Sequence, residues 1–238
     1  MEGRRAFSSL LAMQYQLTHF DILPDLRILQ VNFVTATFQP EDLFWLPHHH
    51  RLSSAVKKRQ AEHLAGRIAA CEALRFHGVK DYVPGMGLQR EPCWPPGFSG
   101  SITHSGKVAL ATVIADDPRR PSGVGIDIED IIAPEVAREI SDAIIDSAEK
   151  TLICATPFPF HVALTLAFSA KESLFKALFR HAGHYFNFSA ASISKIDDGK
   201  LTLTLNQALG PFKKGHEFIA VWESHSTQLV TLLRLERE

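Results

Sequence analysis

The sequence predicts an α+β protein in two comparable halves, and three observations carry that reading. The chain of 238 residues is 45% hydrophobic and 21% charged, which suits a globular chain with a core of its own and argues against disorder. Its strand-like and helix-like segments run strand, helix, hairpin, then strand, helices, strands, so strands and helices are grouped rather than strictly alternating. A polar, proline-bearing connector, Asp116 to Ser122, separates two parts of similar length, giving halves 1–123 and 124–238.

Asp25 to Phe38 is rich in Val, Ile, Leu, Phe and Thr and reads as a strand. Glu41 to Leu46 reads as a turn of helix before Pro47, and His48–His50 as an exposed loop, with metal binding the alternative. Arg51 to His77 is the first long helix. Its apolar residues Ala61, Leu64, Ile68 and Cys71 fall at helical spacing, with Ser53 or Ser54 as cap and Gly78 as stop. Pro84 to Gly100 is turn-rich, and Ser101 to Ile114 reads as two strands joined near Ser105-Gly106. In the second half, Val124 to Glu129 alternates like a strand. Glu135 to Ile153 is helical with a break near Asp146, and Val162 to Ala182 is the second long helix, capped by Gly183. Ala191 to Leu235 carries about three antiparallel strands, with Asp198-Gly199 as a turn.

Bulk properties exclude several function classes. Twenty-five Lys+Arg against 26 Asp+Glu give a net charge of −1, so no nucleic-acid partner recognised by a global positive excess is expected. A local basic groove is untouched by that exclusion. Cys71, Cys93 and Cys154 form no CxxC, which gives neither a closed disulfide framework nor a zinc pattern and suits reduced thiols in a cytoplasmic protein. No apolar run reaches the ~18–20 residues of a membrane span. Met1 to Leu17 lacks the pattern of a signal peptide. Peripheral membrane association stays open.

Four groups of residues carry chemistry. In Gly125-Ile126-Asp127-Ile128-Glu129, strand alternation puts Val124, Ile126 and Ile128 on one face and the two carboxylates on the other, roughly 6–7 Å apart. Two such carboxylates repel unless solvated or bridged by a cation, and their oxygens suit Mg²⁺. Lys171 fills the gap in the apolar stripe Leu164, Phe168, Phe175, Leu178, with Glu172 beside it and Lys176 at i,i+4 from Glu172, so that stripe flanks a cavity or skirts the surface. Thr103-His104-Ser105, followed by Lys107, offers a hydroxyl, an imidazole and turn amides to a phosphate. Lys57-Lys58-Arg59 and Arg67 lie on the first helix, and the two arginines stand about 12 Å apart along its axis. Taken singly, each group also reads as an ordinary polar strand, helix ion pair, turn or solvated basic face. Together they suit one extended, multiply phosphorylated ligand with a divalent cation.

In order and spacing these blocks are specific. Lys58-Arg59, Glu62-His63-Leu64-Ala65-Gly66-Arg67-Ile68-Ala69-Ala70, Trp94-Pro95, Gly100-Ser101-Ile102-Thr103-His104, Gly125-Ile126-Asp127-Ile128-Glu129 and Ala167-Phe168-Ser169-Ala170-Lys171-Glu172-Ser173 follow one another between about Glu41 and Leu205. The sequence resembles the Sfp-type 4′-phosphopantetheinyl transferases, in particular their enterobactin branch. The resemblance implies two similar α+β halves packed as a pseudo-dimer around a cleft, within a monomer. It implies transfer of the 4′-phosphopantetheine arm of coenzyme A to a serine of apo acyl, aryl or peptidyl carrier proteins, with release of adenosine 3′,5′-bisphosphate, in siderophore synthesis by a non-ribosomal route. By position, Asp127, Glu129 and Glu172 would hold Mg²⁺; as the serine must lose its proton, Glu172, directly or through a metal-bound water, is the candidate general base. Lys176 would neutralise charge at the pyrophosphate. Arg59, Arg67, Arg90, Thr103, His104 and Lys171 would contact coenzyme A, and Glu149 matches a family glutamate. The first half would supply nucleotide contacts and the second the carboxylates. Two departures keep the needed groups: Phe168 where Trp is frequent, and Thr103 where Ser is commoner. Two other readings share some residues. A different Mg²⁺-dependent phosphoryl or nucleotidyl transferase is weakened by the missing GxxxxGK[ST] loop. A non-catalytic carrier-binding scaffold is opposed by the intact Asp-x-Glu and Lys-Glu-x-x-x-Lys sets.

Overall fold

The apolar run after Asp25 is the second arm of a hairpin. In the computed structural model, which describes residues 11–235, β1 (Tyr15–Leu23) pairs antiparallel with β2 (Leu26–Phe33). The sequence reading holds no strand at β1. That strand lies at the sheet edge and none of its residues is buried, so the one-sided apolar alternation that marks a strand is weak there. β2 ends at Phe33, earlier than expected, because the chain turns into short 3-10 helices at Thr35–Thr37 and Pro40–Trp45.

The first long helix, α1 (Lys57–Phe76), begins later than expected, and neither Ser53 nor Ser54 caps it: its N-cap is Val56, without a side-chain hydrogen bond. A 3-10 turn, His49–Leu52, takes the preceding residues. Gly78, with φ +81°, follows the helix end as expected. A two-strand ladder, β3 (Gly85–Met86) and β4 (Pro92–Cys93), leads to the hairpin β5 (Phe98–Ser105) and β6 (Val108–Ala115). The sheet order is β1-β2-β6-β5. Leu64, Ala65, Ile68 and Ala69 of α1 pack into one core with Val31, Phe33, Ala109 and Ala111 of the sheet. Gly66 fits α1 closely to β5, because a Cβ there would meet Ile102 Cγ2 at 2.7 Å.

In the second unit β7 (Val124–Asp130) is followed by α2 (Pro134–Ile144) and α3 (Ser147–Cys154). The expected break falls at Asp146, whose side chain accepts from Glu149 N in a capping box. α4 (Phe160–Ala182) ends at Gly183, φ +70°. Four strands follow rather than about three: β8 (Ala191–Asp197), β9 (Lys200–Leu205), β10 (Glu217–His225) and β11 (Gln228–Arg234). The sheet order is β7-β11-β10-β9-β8, all pairs antiparallel. Leu164, Ala167, Leu174 and Leu178 of α4 form its core with Leu203, Ala220 and Leu233. The compact units are Met1–Ala115 and Asp116–Glu238, each an antiparallel sheet with a long helix against it. Among the described residues no helix is long and apolar enough to cross a membrane.

Candidate active site

Each unit gathers one cluster of charged side chains. In the first, α1 and β5 bring Arg59 and His104 together: Arg59 Nη1 donates to His104 Nε2 at 2.6 Å. His104 Nδ1 lies 3.7 Å from Glu62 Oε2, and Lys58 Nζ lies 3.8 Å from Glu62 Oε1. The imidazole is therefore held between a cation and an anion. Arg67, two turns along α1 from Arg59, is buried and donates from Nε to Pro84 O at 2.8 Å and from Nη2 to Gly85 O at 3.1 Å. Arg51 Nη1 grips the same loop through Met86 O and Gly87 O, at 2.6 and 2.9 Å.

Other expected members of this set lie elsewhere. Strand alternation puts Thr103, which is buried, on the face of β5 opposite His104. Arg90 stands exposed on the turn after Gly87 with φ +69°, and its N–H donates to Gly87 O. His48, expected in an exposed loop, is buried. Its Nε2 faces His63 Nε2 at 2.7 Å, because the 3-10 turn at His49–Leu52 folds the segment onto α1. Sequence reasoning passed over His63. The available signal was its place one turn after Arg59 and one turn before Arg67, on their face of the helix.

The second cluster forms where β7 crosses α4. Gly125 makes this crossing possible: a Cβ there would lie 1.8 Å from Ser173 O. The close approach lets Lys176 Nζ donate to Asp127 Oδ1 at 2.7 Å and to Ile126 O at 3.0 Å. Asp127 is buried, whereas the Lys176 side chain is 25% exposed and keeps one N–H uncommitted among the described residues. Glu129 is pushed up to about 7 by burial first and by the Asp127 charge next, with Lys176 opposing and Glu172 adding to the rise. Burial also raises Glu172, against the Lys176 charge, and Asp127 adds to that rise. The three carboxylates thus share one electrostatic neighbourhood with Lys176 inside it. Among the described residues no three His, Cys, Asp or Glu side chains stand in metal-ligating positions. A cavity of about 90 Å³, mostly apolar, opens beside Glu172 and is lined by Phe175, Tyr185, Phe186 and Phe188.

Lys171 sits one residue from Glu172 but on another side of α4. Its Nζ donates to Glu149, 2.7 Å from Oε1 and 3.0 Å from Oε2, to Ile144 O at 2.9 Å and to Phe188 O at 3.3 Å. Glu149 also accepts from Ile193 N and Asp146 N. The pair joins α2, α3, α4 and β8 inside the second unit. Its three protons are all committed there.

Residues 48–114 match the 4′-phosphopantetheinyl transferase N-terminal domain, and residues 123–230 match the 4′-phosphopantetheinyl transferase superfamily. The chain is 42% identical over 207 residues to enterobactin synthase component D of Salmonella typhi, covering 87% of this chain and 85% of that one. The corresponding protein of Escherichia coli K12 is 51% identical over 147 residues, 62% of this chain and 68% of its own. The 4′-phosphopantetheinyl transferase PptT of Mycobacterium tuberculosis is 31% identical over 175 residues, 73% of this chain and 75% of its own. With both halves matched and these identities spread over most of its length, the chain belongs to the 4′-phosphopantetheinyl transferase superfamily.

Proposed function

We propose that this enzyme moves the 4′-phosphopantetheine arm of coenzyme A onto a serine hydroxyl of an apo aryl, peptidyl or acyl carrier protein, in an enterobactin-like siderophore synthesis. The observation that carries the reading is the second cluster: Asp127, Glu129 and Glu172 around the Lys176 ammonium, beside an apolar cavity. The pathway reading rests on the enterobactin synthase relatives.

The donor set fits Mg²⁺ by its chemistry. All three groups are hard carboxylates; burial first and then the charges of Asp127 and Glu172 raise Glu129, and a bound cation relieves that repulsion. Asp127, Glu129 and Glu172 would hold the ion, which when bound supplies positive charge against a pyrophosphate. Phosphoryl transfer needs positioning and charge neutralisation more than covalent help. Lys176 supplies the second through its remaining N–H, directed at the oxygen on which the leaving bisphosphate gathers charge. The carrier serine Oγ attacks the phosphorus bearing the pantetheine arm, the bond to adenosine 3′,5′-bisphosphate breaks, and a Glu172 carboxylate oxygen takes the serine proton. Its raised pKa strengthens it as a base. The cavity beside Glu172 suits the arm. In the first unit Arg59 and His104 take phosphate of the nucleotide. Arg67 holds the loop that starts at Pro84, and Lys171 fixes α4 so that Glu172 keeps its place.

Incubation of an apo carrier with coenzyme A, Mg²⁺ and enzyme is read by intact-protein mass spectrometry. The wild type adds one phosphopantetheine, and Asp127→Ala and Glu172→Ala abolish the addition. Full modification by either variant would falsify the site assignment.

A further inference from the structure

Thr165, Ser169 and Ser173 follow one another at four-residue spacing on one face of α4, and each is 0% exposed. Against them on β11 lies Thr231, also 0% exposed, between Leu229 and Leu233 of the apolar core. Burying a hydroxyl costs free energy unless it is hydrogen-bonded, and here every hydroxyl is. Ser169 Oγ lies 2.9 Å from Thr231 Oγ1, and Ser173 Oγ lies 2.8 Å from Thr231 Oγ1 and 3.1 Å from Thr231 O. Each hydroxyl has one hydrogen to give. Ser173 donates to Thr231 O, Thr231 donates to Ser173 Oγ, and Ser169 donates to Thr231 Oγ1; among these contacts this assignment alone puts all three hydrogens in bonds. One turn earlier, Thr165 Oγ1 donates to His161 O at 2.7 Å and accepts from Ile132 N at 3.0 Å, just past the end of β7.

This chain of hydroxyls lies directly behind the charged cluster. Thr231 is the partner of Asp127 across β11 and β7, and paired residues of an antiparallel ladder point to one face. Ser173 meets both strands: its hydroxyl is bonded to Thr231 of β11, and its carbonyl lies under Gly125 of β7, where a Cβ would come within 1.8 Å. Glu172 precedes Ser173, about 100° around the helix, and Lys176 follows with its ammonium on Asp127. The Lys176–Asp127 pair is a weak anchor for the helix, because the lysine side chain is 25% exposed and a ligand competes for its ammonium. The hydroxyls are sealed from water. Hydrogen bonds are directional, and a buried network with every member satisfied specifies one arrangement where apolar contacts tolerate several.

We propose that the hydroxyl chain Ser169–Thr231–Ser173, centred on Thr231, fixes the rotation of α4 over β7 and β11 and thereby holds Glu172 and Lys176 in place against Asp127 and Glu129. Thr231 is a positioning residue: it acts through those four charged groups and not on substrate. Its role in transfer rests on the reading of the four groups given above.

Two substitutions at one position test this. Thr231→Val keeps the branched shape and removes the hydroxyl, whereas Thr231→Ser keeps the hydroxyl and removes the methyl. Nitrogen-15 NMR of the Lys176 ammonium in the ligand-free protein reports its bond to Asp127: the signal should shift or vanish in Thr231→Val and persist in Thr231→Ser. Calorimetric titration with Mg²⁺ alone should give a Kd raised about tenfold in Thr231→Val, the scale of one hydrogen bond, and by less than about twofold in Thr231→Ser. In the transfer assay, run well below Tm, kcat of Thr231→Val should fall at least about tenfold, since a misplacement of about 1 Å can cost roughly a hundredfold. KM for the carrier should move less than about twofold. Ser173→Ala suits a helix, leaves β11 untouched and should act in the same direction, so a Thr231→Val protein that does not fold still leaves a test. A lowered Tm with the Lys176 signal, the Mg²⁺ Kd and kcat all unchanged makes the hydroxyl chain merely structural and overturns the proposal. A Thr231→Ser protein as impaired as Thr231→Val overturns it too. A wild type that transfers nothing sinks the transferase reading, while the Lys176 signal still decides the positioning.

Discussion

Glu149→Ala removes one partner of a buried ion pair, and its cost follows from the contacts. Both Glu149 and Lys171 side chains are 3% exposed. Glu149 accepts the Lys171 ammonium, the Ile193 amide at 2.8 Å and the Asp146 amide at 2.9 Å. The substitution leaves Ile193 N without that acceptor inside the core and takes the carboxylate partner out of the α3 capping box. It also leaves the ammonium with only two carbonyls, Ile144 O and Phe188 O. Burial already lowers the Lys171 pKa, with Glu149 opposing, so loss of Glu149 removes what keeps the charge in place. Breaking such a pair costs about 3–5 kcal/mol, which in a protein of this size is a fall in Tm of roughly 6–20 °C. Urea denaturation followed by circular dichroism measures it. The double variant Glu149→Met with Lys171→Met should recover much of the loss, since replacing both charges by apolar groups is often near neutral. A Glu149→Ala loss below about 1 kcal/mol, or a double variant no better than the single one, refutes a buried pair whose cost lies in the orphaned charge.

Two further outcomes follow from the same unit. Glu129 titrates near 7 in the fold against an ordinary 4.5, so the folded state binds more protons than the unfolded one between those values. Its contribution to stability is full below about 4.5 and is lost as pH rises through 7. Mg²⁺ should then stabilise the fold more at pH 8 than at pH 6, with a total gain of about 2.7 kcal/mol at a hundredfold excess over Kd. A pH-independent increment, or one that persists in Asp127→Ala, refutes the carboxylates as its ligands. Gly125→Ala places a Cβ 1.8 Å from Ser173 O, backbone that cannot rotate away, so it should cost about 3 kcal/mol or more and reduce transfer by separating Asp127 from Lys176. Wild-type stability in that variant would show that β7 and α4 do not approach as closely as described.

What the sequence made legible was what local signals encode. Asp146 breaks the helical stretch because its carboxylate caps α3, and Glu149 completes the box three residues on, a pattern readable in the chain. The carboxylate face of β7 follows from period-two alternation, and α4 announces itself by its apolar stripe and Gly183. Other features depend on partners far away in sequence. Lys171 reads as a ligand contact when only its motif neighbours are in view. Its commitment to Glu149, Ile144 and Phe188 comes from chain segments folded over it. His48 looks like loop surface until the 3-10 turn carries it onto α1. Thr103 and His104 were separable by alternation alone, yet adjacency in a motif suggests a shared target that adjacency in a strand denies to their side chains.

The near-zero net charge acquires a physical meaning at this level. In each unit one group of opposite sign stands inside the charged cluster. Glu62, buried, lies near Lys58 and His104 in the first, and Lys176 stands against Asp127 in the second. Like charges held together in a partly buried place raise the free energy of the fold, and at Glu129 the Asp127 charge adds to the larger upward push of burial. One internal counter-charge per cluster offsets part of that cost while no ligand is bound, and it leaves an excess of one sign for a ligand to neutralise. A global balance of 25 against 26 thus conceals two clusters of opposite excess, each partly compensated from within. Removing the internal counter-charge and removing an excess charge must have opposite effects on the stability of the ligand-free fold, which is why the sign of a charge in these clusters says less about its role than the sign of its neighbours.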